Sequence, residues 1–443
     1  MVKANLEIIV ELKNFLNLVS SDPEIRKLLT ESENAFSRQR KLTLERIAGI
    51  IINMPKRSLS IEIQEFFDTL ENGPESCTKG AFSLQRTKLK PLFFKVWNQW
   101  LVENFYRVYG NRVKRWQGFR LLAVDGSTVY LMNKPDIIEH FGTHDNNRSS
   151  VPMGRVMQIH DVLNDITISA QIRPIKESEQ SIIAKQVSQL PTDSLSILDR
   201  GFTGYGFMYL MSNEEEPRHF IIRAKTTFNT EVKDFVRSGK RSKIVELKPC
   251  YKSIKMLREN GYIVTPSTLL KVRMVQVNLP NGQKEILLTN LFDEKLYSLN
   301  YLRYLYGLRW GIETAYSKLK NQQQLEEFSG HRVICIEQDY AAAIFVSNLQ
   351  ALIQKQSEDN LKAINQGRKY NYQVNRNISW ASLKHRIVQL FLTNETEIIL
   401  TNLQKAFERH LEPVRPGRQF RRCKKKQRLT GKYQTLTNYK RAI

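Results

Sequence analysis

Acidic side chains are scarce in this chain. Over 443 residues, 44 Asp and Glu stand against 68 Lys and Arg, a formal net charge of +24. Such a balance favours a polyanionic partner, through long-range steering and counterion release. A basic membrane-surface or ribosome-bound protein would share it, but nucleic acid is the preferred reading. Cysteine is also sparse. Cys77, Cys250, Cys335 and Cys423 stand far apart without a CxxC pair, which argues against a zinc site or a disulfide framework and fits a reducing compartment. Long apolar runs are missing. The most apolar stretch, Ile47 to Met54, is far too short to span a bilayer. Acidic residues interrupt the opening MVKANLEIIVELKNF, so it does not read as a signal peptide. The expectation is a soluble, intracellular protein with no membrane partner. No internal repeat is visible.

What is present suffices for ordinary buried cores, since 41% of residues are hydrophobic. The length suggests about two or three domains. Residues 1–110 read as helical, with apolar residues at helical spacing in Leu42–Met54 and Ile61–Leu70. Gly73-Pro74 marks a break. Beyond it, Thr78 is placed to cap a short helix carrying Gln85, Arg86 and Lys88 on its polar side. That is the pattern of a recognition helix, and equally that of a solvated amphipathic one.

From Phe119 the texture changes. FRLLAVDG is an apolar run stopping at Asp-Gly, as a buried strand does at a loop. Val156–Val162 and Ile166–Ile172 read as two further strands joined near Asn164-Asp165, Glu177–Leu190 as a helix, and SLSILDRGF as a short strand ending in a carboxylate. This order predicts a mixed α/β sheet. Between 214 and 297 the chain looks β-rich. Phe220–Ala224, Ile244–Leu247, Leu270–Asn278 and Glu285–Leu291 are candidate strands, the last two joined by the hairpin signal Asn281-Gly282. Helical stretches follow at about 336–356 and 379–393. The tail from Arg415 to Arg441 has eleven Lys and Arg and no Asp or Glu, a composition that is usually disordered and binds DNA non-specifically.

The chemistry concentrates at a spacing. Tyr306, Arg309, Glu313 and Lys320 stand at i, i+3, i+7 and i+14 in a segment, Ser298 to Lys320, without Pro and with Ser298 as a helix cap. On one continuous helix they fall within an arc of roughly 60°. A carboxylate flanked by two cations and a phenol does not suit a hydrocarbon core. It suits a phosphate substrate with a metal ion. Asp125 and Asp199, each at the end of a predicted strand, supply two more of the hard oxygen ligands that Mg²⁺ prefers. Two metal ions held by three carboxylates can activate a water or a 3′-hydroxyl and stabilise the leaving oxygen.

The pattern Y-x2-R-x3-E-x6-K in YGLRWGIETAYSKLK resembles the signature of the insertion-sequence-four family of DDE transposases, position for position. LLAVDGS and LDRGF look like that family's first and second Asp regions, in the same order. The resemblance implies an RNase H-like catalytic core interrupted by a β-rich insertion. It implies a helical DNA-end-binding region at 1–110, the core at 111–213 and 298–335, the insertion at 214–297, a helical region at 336–413 and the basic tail at 414–443. It further implies Asp125, Asp199 and Glu313 as catalytic metal ligands for two Mg²⁺ or Mn²⁺ ions. Arg309 and Lys320 would lie on phosphates near the scissile bond, Tyr306 on a terminal phosphate, and Trp310 against a base at the end. The expected partners are transposon terminal inverted repeats, target DNA and a second copy of the chain in a synaptic complex, at the bacterial nucleoid in the cytoplasm. The expected reaction is cut-and-paste transposition through a hairpin at the transposon end.

One departure concerns that hairpin. In some relatives an insertion Trp stacks on a flipped base, but no Trp occurs here between Asp199 and Arg309. Phe228, Phe235, Tyr251 or Tyr262 could substitute, since any aromatic ring offers a stacking face. Each candidate also has a plain structural reading. Asp125 can close a strand turn, and Asp199 can pair with Arg200 or cap the next helix. Glu313 with Arg309 can be an ordinary charged helix face. Trp310 can be a core anchor, and His160 is read as structural. Two other functions stay open at this level: a silenced or repurposed transposase that only binds DNA, and a nuclease of the same fold that cuts without joining.

Overall fold

Along the sheet strands the side chains alternate between two apolar layers, and this period of two decides the architecture of the catalytic half. The computed structural model describes residues 2–38, 40–53, 56–70, 76–146, 149–213, 216–278 and 284–415. It falls into two units: residues 111–129 with 141–317, and residues 1–110 with 130–140 and the chain from 318 onward. The hairpin turn at Asn281-Gly282, the Gly73-Pro74 break and the basic tail beyond Arg415 lie outside the described residues.

Among the described residues the main sheet has nine strands: β1 Arg120–Tyr130, β2 Thr143–Asn146, β3 Ser149–Asp161, β4 Ile166–Pro174, β5 Ser194–Leu198, β6 His219–Ala224, β7 Ser242–Leu247, β8 Leu270–Asn278 and β9 Lys284–Thr289. Their order is β2-β3-β1-β5-β6-β9-β8-β7, with β4 also paired to β3. β1, β5 and β6 run parallel, whereas β3 with β4 and β6 through β9, β8 and β7 pair antiparallel. The strands expected between 214 and 297 are therefore part of this same sheet. Two amphipathic helices, Thr230–Arg237 and Tyr251–Glu259, also lie in that interval and were not expected.

One sheet face carries Leu122, Val124, Leu198, Phe220, Ile222, Met274 and Leu288. It is covered by Ile182, Phe207, Met211, Val232, Phe235 and Leu257 from short helices. The other face carries Leu121, Leu195, Ile197, Ile221, Val275 and Leu287. Leu302, Leu305 and Tyr306 of helix Leu299–Gly307 pack on it. Because both faces are buried, the central strands are continuous apolar runs, as the sequence suggested.

The other unit is mainly helical, as expected for residues 1–110. Its long helix Val333–Lys355 is buried almost all round, with neither Gly nor Pro to interrupt it. Trp97 of helix Leu92–Tyr109 is fully buried and stacks on Phe345 at 4.1 Å between ring centroids. Thr78 does cap the helix Lys79–Arg86, accepting from the Ala81 N–H at 3.1 Å. Arg86, however, is withdrawn from the DNA-contacting set. It is 1% exposed and bonded to Gln338, Ser329 and Asp339. A guanidinium so placed satisfies a buried carboxylate and cannot reach a phosphate. Gln85 and Lys88 are half-buried, and Lys88 lies beyond the helix end.

Candidate active site

Register brings two carboxylates together. Val124 of β1 lies opposite Leu198 of β5, so Asp125, still on β1, and Asp199, the first residue past β5, come next along two adjacent parallel strands. Asp125 keeps the parity of Leu121, and Asp199 that of Ile197, the face covered by helix Leu299–Gly307. Asp199 also caps a short turn, its side chain accepting from the Gly201 N–H at 2.7 Å. The Asp125 carboxylate accepts from the Gly126 N–H at 2.9 Å.

The third carboxylate arrives through an arginine. Arg309 donates from Nη1 to Asp125 Oδ2 at 3.3 Å and from Nη2 to Glu313 Oε1 at 2.9 Å. The two residues sit four apart across a break in the helix. The single helix expected from Ser298 to Lys320 is in fact three pieces: Leu299–Gly307, Trp310–Ser317 and the π-helical Lys318–Gln322. At the break, the N–H groups of Leu308, Arg309, Gly311 and Ile312 bond three residues back instead of four. Gly311 sits close against Val162, and a Cβ there would be 3.0 Å from Val162 Cγ1. The 60° arc therefore does not carry from Tyr306 to Lys320, nor do Tyr306 and Trp310 share a helix. Tyr316 fastens the second piece to the sheet by donating its hydroxyl to the Asp125 carbonyl at 2.8 Å. That residue stands three after Glu313, on the same helix face, which is the signal by which it could have been found.

Residues 116–349, more than half of the chain, match the model of the transposase DDE domain. The chain belongs to the DDE transposase family. It is 23% identical over 341 residues to the transposase InsG of insertion sequence element IS4 from Escherichia coli strain K12, covering 74% of each chain. To the putative transposase InsZ of the same organism it is 22% identical over 120 residues, 26% of this chain and 40% of that one. Among solved structures it is similar to a piggyBac transposase synaptic complex with hairpin DNA, at a TM-score of 0.41 and 11% identity. That likeness covers 93% of this chain and 84% of the other, and is too slight to argue from.

The electrostatics of the candidate site centre on Asp125. Burial pushes its carboxyl up to about 6. The Gly126 N–H and Arg309 oppose the rise, while Asp199 and Glu179 add to it. Glu179 is a neighbour the sequence reading missed. It opens helix Glu179–Ala184, is held by Arg155 at 2.7 Å, and lies where a Cβ on Gly126 would be 2.3 Å from its Oε1. Gln180 next to it donates to the Gly201 carbonyl at 2.5 Å, so one helix start meets both the Asp125 strand and the turn after Asp199.

DDE transposases generally work with divalent metal ions. Among the described residues no three Asp, Glu, His or Cys side chains stand close enough together to hold one. The donor chemistry nevertheless fits: the carboxylates are hard oxygen ligands, and their mutual repulsion at Asp125 calls for a cation. Arg309 supplies that positive charge in this structure.

Beside this cluster lies a cavity of about 720 Å³, lined among others by Arg223, Glu285, Arg303, Tyr304, Arg309 and Trp310. Trp310 is no core anchor. It is 56% exposed, with the Arg309 guanidinium 5.2 Å from its ring centroid. Tyr306 also lines the cavity but is buried, and burial pushes its hydroxyl up to about 12, so it stays protonated. Of the proposed substitute aromatics, Phe235 is fully buried and cannot stack on a base, whereas Tyr251 is 80% exposed. Lys320 lies on the π-helical turn in the other unit. Burial lowers its pKa, against an opposing pull from Glu326. His160 is buried and bonded to Thr167, the structural role expected of it. No helix among the described residues is long and apolar enough to cross a membrane.

Proposed function

We propose that this transposase moves an insertion sequence of the insertion-sequence-four type by cut-and-paste, with Asp125, Asp199 and Glu313 as its catalytic carboxylates. The observation that carries the proposal is the placement of Asp125 on β1 and Asp199 at the end of the adjacent parallel β5, with Glu313 tied to Asp125 through Arg309. The sheet order β4-β3-β1-β5-β6, antiparallel at β3/β4 and parallel across β1, β5 and β6, supports an RNase H-like core. The division into end-binding region, interrupted core, insertion, helical region and tail is retained as part of this proposal, except that β6, parallel to β5, is counted with the core and not with the insertion.

Asp125, Asp199 and Glu313 would hold two Mg²⁺ or Mn²⁺ ions, whose chemistry is to sharpen a water or 3′-hydroxyl as nucleophile and stabilise the leaving oxygen. The chain's own groups do the rest. Arg309 neutralises two carboxylates before substrate arrives, and its fork suits a phosphate when a cation replaces it there. The buried Tyr306 hydroxyl donates to a terminal phosphate, and Lys320 contributes a point charge to the DNA backbone. Exposed Trp310 offers a stacking face to a base at the end, which supports a hairpin intermediate. The substrates are the element's terminal inverted repeats and target DNA, handled by two copies of the chain.

The test is a plasmid carrying the flanking repeats, incubated with wild type and with Glu313→Gln, in Mg²⁺ and in EDTA. Excision or hairpin ends appear only with wild type and Mg²⁺. Cleavage by Glu313→Gln at the wild-type rate would sink the assignment.

A further inference from the structure

Glu285 is the unusual group of the cavity. It lies on β9 near the Asn278/Lys284 strand ends and is 94% buried, at 6% exposure. Arg223 approaches its Oε1 at 2.9 Å. Its other oxygen, Oε2, is buried without a hydrogen-bond partner among the described residues. A buried carboxylate oxygen left unpaired is costly, because it has lost water and gained nothing. Such a group marks a place where a donor is expected from outside the chain.

The rest of the lining describes that donor's carrier. Trp310 and Tyr304 are 56% and 58% exposed, so two aromatic faces are open to a planar ring. Arg223, Arg303 and Arg309 supply three cations around it. Aromatic faces, guanidinium groups and one deep acceptor together fit a nucleobase with its phosphate, better than a sugar or an apolar ligand. A base can reach Glu285 only by leaving the helical stack, and stacking is weakest at a cleaved DNA end.

We propose that Glu285 is a specificity-determining residue of this transposase: its Oε2 accepts a hydrogen bond from the N–H edge of a base at the transposon end. This rests on the reading of the site as one for transposon ends. The acceptor sorts bases by their edges. Guanine offers N1–H and N2–H side by side, and adenine and cytosine each offer an exocyclic amino group. Thymine has a single N3–H between two carbonyls, and those carbonyls meet the carboxylate with like partial charge. Selection therefore comes from repulsion of the wrong base as well as attraction of the right one. Arg223 reinforces the choice, since it donates to the acceptor beside the amino group.

Full-length protein is titrated in EDTA, so that binding alone is read, against labelled duplexes bearing the element's own pre-cleaved end. The last two nucleotides of each strand are replaced one at a time by G, A, C, T, 5-methylcytosine or an abasic site. At one position, amino-bearing bases bind about tenfold more tightly than thymine, and 5-methylcytosine, which shares thymine's methyl group, binds like cytosine. Glu285→Gln brings the bases within about twofold of one another, because the amide can donate to a thymine carbonyl. Equal binding of 5-methylcytosine and thymine at every position overturns the proposal without recourse to any variant. So does a wild-type preference that survives unchanged in a folded Glu285→Gln protein. An abasic end that binds as tightly as every base shows that the cavity takes no base at all. Failure of the transposon-end reading is separate: it shows as ends no better bound than unrelated duplex.

Discussion

Replacing Asp125 by Asn should make the protein more stable while abolishing its chemistry. The Asp125 carboxyl is buried, 18% exposed at the side chain, and its pKa is raised from 3.8 to about 6. In the unfolded chain the proton leaves near 3.8, whereas the folded chain keeps it until about 6. Between those values the folded state binds more protons, so stability falls as pH rises, and the whole cost is present above pH 6. At 1.36 kcal/mol per pH unit the cost is about 3 kcal/mol, somewhat less after allowance for the partial exposure.

Asn resembles the neutral carboxyl in shape and carries no charge to desolvate. Asp125→Asn should therefore match wild type near pH 4 and exceed it by up to about 3 kcal/mol at pH 7.5. For a unit of this size that is a rise in melting temperature of several degrees. The assay is thermal unfolding of both proteins in EDTA from pH 4 to 8, followed by a probe within residues 111–317. Adding Mg²⁺ at pH 7.5 should close the gap, raising wild type by about 2.7 kcal/mol at a hundredfold excess over Kd and leaving the variant unmoved. Parallel pH profiles for the two proteins would refute the reasoning, since they would mean that the Asp125 charge costs nothing in the fold. The outcome matters for mechanism: a carboxylate held at a cost to stability is one placed for a cation that comes with function.

Gly126→Ala places a Cβ 2.3 Å from Glu179 Oε1 and 2.8 Å from Met157 Sδ. Urea unfolding should show a loss of about 1–3 kcal/mol, and end cleavage should fall with DNA binding retained. Arg86→Ala leaves Asp339 buried without its cation, so the expected loss is about 3–5 kcal/mol of stability. End affinity per folded molecule, read by anisotropy, should stay at the wild-type value. A specific loss of affinity in a fully stable Arg86→Ala would restore the recognition-helix reading.

How much of this was legible in the sequence depended on the range of the interactions involved. Apolar runs ending in Asp gave away β1 and β5, because burial on both faces leaves a continuous hydrophobic signal; but only β5 stops there, whereas β1 continues through Asp125 to Tyr130 and merely loses its full burial at that point. The helix over 298–320 was legible as helical but not as broken. Gly307 and Gly311 hinted at weakness, yet the tightened turn depends on Gly311 approaching Val162, a contact across the fold. Arg86 looked like a surface cation because its partner Asp339 lies 253 residues away.

The same limit governs Glu285. On a strand it reads as one more polar residue of alternating exposure, and only the fold reveals that Arg223 takes one of its oxygens and leaves the other buried and bare. The candidate carboxylates could be picked out because Asp125 and Asp199 each follow a fully buried apolar run and Glu313 stands at a helical spacing from Arg309. Their division of labour could not, since it is decided by which buried charge meets which. Arg309 illustrates the point. Its spacing from Glu313 is a routine helical pair, but its second bond, to Asp125 184 residues earlier, is what turns a charged helix face into the keystone of a carboxylate cluster.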